Sequence, residues 1–202
     1  MQYQSTKHVA VIVAGLGGLE NFPTLTSSWA KYGIETVHFK PMWKSAESFE
    51  NKLGRFLGFI DLLVSQGKTV SLVGTSAGGS MVVNAFIERR KIINTVVVVC
   101  GWITVGKNSA IFDKLRLKAP SFVESVSMCD DRIELLTLED RSKIMTISSV
   151  MDELVPSEVS RLEGAKNIKT LIPIHVVAIL FNLALAYRKI IDFILDNSNT
   201  TR

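Results

Sequence analysis

Short continuous runs rich in β-branched and aliphatic side chains recur along the chain, at 8–14, 34–39, 69–74, 95–100, 143–149 and 167–172. They do not alternate apolar with polar, so they predict strands covered on both faces, as in a parallel sheet. Between most of them lie segments of helical spacing. At 49–66, for example, Phe49, Leu53, Phe56, Leu57, Ile60 and Leu63 fall on one side. Strands alternating with helices imply βαβ units. The expectation is therefore an α/β protein with an open, mostly parallel sheet of about six strands flanked by helices.

The connection between the fourth and fifth runs, 101–142, is about twice what one crossover helix needs. It predicts a small lid-like helical insertion after the fourth strand, whose apolar residues include Phe112, Leu115 and Phe122. No repeat or low-complexity linker divides the sequence, so 1–202 reads as a single domain. With 47% apolar residues, 202 residues can bury a sizeable core.

Charge excludes one class of partner. The chain has 23 basic and 19 acidic side chains, a net charge of +4, with no clustered basic footprint, so no nucleic-acid binding is expected. Residues 1–8 are polar and lack the apolar core of a signal peptide, and Cys100 and Cys129 read as free thiols of a cytoplasmic protein. The apolar stretch 176–186 is interrupted by Asn182 and followed by Arg188 and Lys189. It falls short of the ~20 residues a membrane span requires, so it predicts a buried helix and no transmembrane segment.

Immediately after the third run stands Gly74-Thr75-Ser76-Ala77-Gly78-Gly79, followed by the apolar helix start Met81-Val82-Val83. This is G-x-S-x-G between a strand and a helix. Its glycines have a steric reason: a serine on a strained turn leaves no room for side chains against strand and helix. The plain alternative is an ordinary Gly-Ser helix cap. With the strand before it and the helix after it, the segment resembles the nucleophile turn of the α/β-hydrolase superfamily. The resemblance runs from His8 to Leu195, and the six runs match the last six of the family's usual eight strands, so the sheet looks shortened at its N-terminal edge. It implies that Ser76 is a nucleophile whose reacting centre faces the N-terminus of the following helix.

A serine hydroxyl needs a base, and there are three histidines. His8 begins the first strand, at the end of the sheet opposite Ser76, and reads as a surface strand end. His38 lies near the carboxyl end of the second strand but precedes the serine. His175 follows the last strand, after Pro173, where the family order of serine, acid, histidine places the base. The family often carries a small residue before that histidine, whereas this chain has Ile174. After the fifth strand, Asp152-Glu153-Leu154-Val155-Pro156 resembles the family's acid loop. Asp152 is the expected acid, Glu153 its competitor, and Asp130 and Asp131 read as solvated.

The first run ends in Ala14-Gly15-Leu16-Gly17-Gly18, where the family often has a His-Gly-x-Gly-Gly-like turn. The resemblance implies that the backbone amides of Leu16 and Ala77 receive the oxyanion, with Ala14 replacing the turn's histidine. A dinucleotide site is disfavoured, because Gly15 to Glu20 does not give G-x-G-x-x-G and no acid closes the second strand. No metal-ligand spacing occurs and no cofactor is implied.

The resulting expectation is a serine esterase acting on a small-molecule acyl substrate, a carboxylic ester before a thioester or labile amide. Trp102, Phe112, Leu115 and Phe122 would form the substrate pocket, with Trp43 near it. Two binding readings stand beside it. One is a hydrolase fold without turnover, serving as a ligand- or partner-binding module. The other is a membrane-surface protein using 176–195.

Overall fold

The computed structural model describes residues 8–17, 23–106 and 109–198. Six strands form one sheet in which every neighbouring pair is parallel: β1 (His8–Val13), β2 (Ile34–Phe39), β3 (Thr69–Thr75), β4 (Ile93–Val99), β5 (Ile144–Ser149) and β6 (Lys166–Thr170). Their order is β2-β1-β3-β4-β5-β6. The chain moves from β1 to one edge, then returns to β3 on the other side of β1 and proceeds outward. Loops leaving β1 and β3 at their carboxyl ends therefore diverge, and a crevice opens between them. Gly15 follows β1 and Ser76 follows β3, so both lie at this crevice.

Successive residues of each strand point to opposite faces, and in the central strands β1, β3, β4 and β5 both faces are buried, while the edge strands β2 and β6 are partly exposed. Val9, Val11, Val13, Val70, Leu72, Val96 and Val98 join one core with helices α1 (Phe49–Ser65), α2 (Gly78–Arg89) and α4 (Pro120–Arg132). Ala10, Ile12, Val73, Val97 and Val99 join the other, with a 3-10 stretch at Pro23–Tyr32 and helices α6 (His175–Ala184) and α7 (Arg188–Ser198). Each valine, leucine or isoleucine removed from water in this way contributes about 1.5–3 kcal/mol before chain entropy is counted. This two-sided burial explains the uninterrupted apolar runs in the sequence. α1 starts where Ser48 accepts a hydrogen bond from the Asn51 amide. Its apolar stripe, Phe49, Leu53, Phe56, Ile60 and Leu63, is the buried face.

The segment after β4 contains α3 (Ser109–Lys118), α4, a 3-10 turn at Ile133–Leu135 and the short α5 (Leu138–Ser142). Only part of it roofs anything. α4 packs against α2, where the Ser80 and Ser125 hydroxyls share a hydrogen bond of 2.7 Å and Asn84 donates to the Ser125 carbonyl. It thereby serves as one of the helices covering the sheet. Among the described residues, no helix is long and apolar enough to cross a membrane.

His8 departs from the sequence expectation of a surface strand end. It is buried, with Nε2 hydrogen bonded to Ser71 Oγ at 2.9 Å and Nδ1 to Ser198 Oγ at 3.2 Å. Burial lowers its pKa from 6.5 to about 4. Between those values the unfolded chain binds a proton that the folded chain refuses, so stability from neutral His8 is complete above pH 6.5 and is lost as the pH falls towards 4. The contribution at stake is on the order of 3 kcal/mol. Urea unfolding from pH 7 to 4 should show a steeper loss for the wild type than for His8→Gln. Parallel profiles would remove His8 as the cause.

Candidate active site

Ser76 has φ of +51°, a left-handed conformation that costs a non-glycine residue about 1–2 kcal/mol. Its neighbours hold it there. The Ser76 amide donates to the Val99 carbonyl at 3.2 Å, and the Ser76 carbonyl accepts from the amides of Gly79 and Trp102 at 3.0 and 3.1 Å. The surrounding glycines are sterically required. A β-carbon at Gly74 would stand 2.4 Å from the Gly78 carbonyl oxygen, and one at Gly78 would stand 2.1 Å from the Val13 carbonyl oxygen. Gly79 and Gly101 approach each other so closely that a β-carbon on either would fall within about 3 Å of the other's α-carbon. Ala77 caps α2, whose N-terminus therefore begins at the serine.

His175 opens α6, and its Nδ1 lies 2.7 Å from Asp152 Oδ2. Both side chains are buried. A carboxylate only accepts, so this contact places the imidazole proton on Nδ1 and leaves Nε2 with its lone pair. That Nε2 is buried without a hydrogen-bond partner. Burial alone would push the Asp152 carboxyl up, but the His175 ring and the amides of Val155 and Leu154 outweigh it and hold the carboxyl below its usual value. Glu153 does something different from its neighbour: its carboxylate accepts the His175 backbone amide at 2.9 and 3.2 Å, capping the helix that carries His175.

Ser76 and His175 line one cavity of about 280 Å³. Its apolar wall includes Trp102, Leu115 and Phe122, three of the four residues expected there. Phe112 requires correction. It does not line the cavity but packs behind the wall, its ring centroid 5.0 Å from that of Trp102. Leu16, Ala77, Gly15 and Gly17 complete the floor around the serine, while Gly18 lies outside the described residues. A β-carbon at Gly15 would stand 3.0 Å from Ser76 Oγ and 3.1 Å from the Ala77 nitrogen. The turn after β1 is thus pressed against the serine and the amide that follows it.

Several contributors were not visible in the sequence. Leu154, Val155, Val176 and Ile179 also line the cavity, and their only signal was adjacency to the acid and the histidine. Trp43 is not in the wall. It supports the glycine turn, donating from Nε1 to the Ala14 carbonyl at 3.0 Å while Ser121 donates to the Trp43 carbonyl. Support that the family resemblance assigns to a histidine at position 14 comes here from an indole 29 residues later. Cys100, with φ of +46°, follows β4 beside Asp152; burial, joined by the Asp152 charge, pushes its thiol up to about 12. Asp130 accepts the Val105 amide, away from the cavity. Among the described residues no cluster of His, Cys, Asp and Glu could hold a metal ion.

No family model and no curated protein sequence matches the chain. Solved structures do. A metagenome-derived lipolytic enzyme of the LipS and LipT pair superposes with a TM-score of 0.68 at 13% identity, over 96% of this chain and 94% of its own. The monoacylglycerol lipase of Paleococcus ferrophilus gives 0.65 at 14%, over 94% of each chain. MGS-MChE2, an alpha/beta hydrolase enzyme from the metagenome of lagoon sediments at Mar Chica, gives 0.68 at 16%, over 95% of this chain and 92% of its own. The chain has the α/β-hydrolase fold. At such identities the α/β-hydrolase likeness speaks for the backbone, and the chemistry rests on the side chains described above.

The packing of the turn makes a stability prediction. Gly78→Ala should cost at least ~3 kcal/mol or prevent folding, because the new carbon meets the β1 backbone, which cannot step aside. Gly54→Ala, exposed in α1 with nothing within 4 Å, should add up to about 1 kcal/mol. Urea unfolding of both variants checks the contrast; similar effects would contradict it.

Proposed function

We propose that the protein is a serine hydrolase that cleaves carboxylic esters through an acyl-enzyme on Ser76. The observation that carries this reading is the pairing of His175 Nδ1 with Asp152, with the unpartnered Nε2 buried in a cavity wall shared with Ser76. His175 Nε2 takes the Ser76 proton as Oγ attacks the ester carbonyl. Asp152 orients the ring and stabilises the imidazolium. The oxyanion is received by the backbone amides of Leu16 and Ala77, an interaction usually worth about 3–4 kcal/mol in the transition state. Collapse expels the alkoxide, which takes the proton from His175. Water, activated by the same nitrogen, then releases the carboxylic acid.

The substrate class follows from the walls. A largely apolar cavity of about 280 Å³, at the small end of ligand pockets, suits a modest acyl chain. Each methylene buried there is worth about 0.8 kcal/mol, nearly fourfold in kcat/KM until the cavity is full. The solved lipolytic enzymes and lipases of the same fold support ester chemistry. No cofactor is required. The same reading places the protein in the cytoplasm, where buried thiols such as Cys100 and Cys129 stay reduced.

Mutant kinetics with a nitrophenyl ester test the roles. Asp152→Asn should lower turnover by about 10⁴-fold, the scale known for amidation of a triad aspartate. Glu153→Gln keeps one carbonyl acceptor for the His175 amide and should cost less than about tenfold. A larger loss at Glu153 than at Asp152 would assign the acid wrongly.

A further inference from the structure

The cavity opens through a face of the protein poorly suited to water. Ala178, Ile179 and Leu183 of α6 sit in the core, yet Ile174, Val177, Phe181 and Leu185 are exposed. Spaced three or four residues apart, these four form one stripe along the helix. The outer side of a helix packed on a sheet ordinarily carries polar residues. None of these four lines the cavity, but Val176 beside them and Leu154 both do and remain 46% and 54% exposed, so the cavity rim is apolar as well. A contiguous apolar patch of this kind marks a binding face.

Charge identifies what it binds. Between Glu163 and Asp192 the sequence has no acidic residue. Lys166 and Lys169 precede the apolar segment and Arg188 and Lys189 follow it. Glu153, the acid beside the cavity wall, has its carboxylate engaged by the His175 amide. Lys166, Lys169 and Arg188 are exposed, Lys166 and Arg188 resting on the Phe193 and Tyr32 rings, and Lys189 is half-buried. An apolar helix face whose flanking segments carry exposed cations matches a lipid surface with anionic headgroups. A second protein copy seated here would close the mouth of the cavity, whereas a lipid layer would present acyl chains to it.

We propose that the exposed face of α6 docks on anionic lipid surfaces, from which the acyl substrate passes into the cavity. The second half rests on the ester-hydrolase reading above; the docking does not. The test uses the full chain with vesicles of phosphatidylcholine alone or with 30% phosphatidylglycerol. The wild type should co-sediment with the mixed vesicles, more weakly at high salt. Val177→Glu/Phe181→Glu should reduce binding by about tenfold or more, and the single variant Leu185→Glu should move the same way. Neither changes a cavity residue, so turnover of soluble nitrophenyl acetate should stay within about twofold of wild type while hydrolysis of a short-chain acyl ester anchored in the vesicle by a long-chain alcohol falls about tenfold. Circular dichroism and thermal midpoints establish that the variants fold. Wild-type protein left in the supernatant, or variants that bind vesicles equally well, would overturn the proposal. So would a dimer dissociated by the double variant in the absence of vesicle binding, which would give the face to a second copy. Vesicle binding without hydrolysis of either ester would overturn the ester-hydrolase reading and the route of substrate, and leave the docking standing.

Discussion

Ser76 sits in a left-handed backbone conformation, wedged where β1, β3 and α2 meet, and much of the molecule is arranged around that turn. The strain is modest beside the packing that enforces it. The carbonyl of Val13 occupies the space a side chain at Gly78 would need, Gly78 does the same to Gly74, and Gly101 closes against Gly79. Three hydrogen bonds then fix the serine's own amide and carbonyl. With the backbone fixed in this way, the hydroxyl is presented at the crevice between β1 and β3 with the first amides of α2 beside it. A looser turn would be less costly and would lose the alignment.

The acid and the histidine reach this point from the opposite side of the sheet order. β5 and β6 lie beyond β4, and the loops at their carboxyl ends carry Asp152 and His175 back towards the crevice. Two adjacent carboxylates divide the work there. Asp152 turns inward to the ring and is fastened by the amides of Val155 and Leu154, while Glu153 turns to the helix backbone. The pair thus fixes both the orientation of the imidazole and the position of the helix that bears it, so an error in either would move Nε2.

The central strands were legible because parallel strands buried on both faces are mostly apolar, as β1 and β4 are; the edge strand β2 is partly exposed but begins and ends at the residues expected. That Ser76 and the Asp152–His175 pair meet was legible in outline, because the three stand in the loops that leave the third, fifth and sixth strands. What the sequence concealed was long-range support. Trp43 bonding to Ala14, and Ser121 to Trp43, involve residues whose partners no periodicity connects. His8 looked like an exposed strand end because nothing local indicates that Ser198, near the end of α7, returns to cover it. Phe112 was an apolar residue in the right segment, but which side of Trp102 it occupies is decided by the packing of α3 on α4.

The central claim is that Ser76 carries a covalent intermediate, and intact-protein mass spectrometry after a fluorophosphonate probe measures this most directly. The account predicts one adduct per chain, located on the peptide containing Ser76 and absent from a folded Ser76→Ala variant. An adduct of equal extent on the variant, or located on another serine in the wild type, would contradict it.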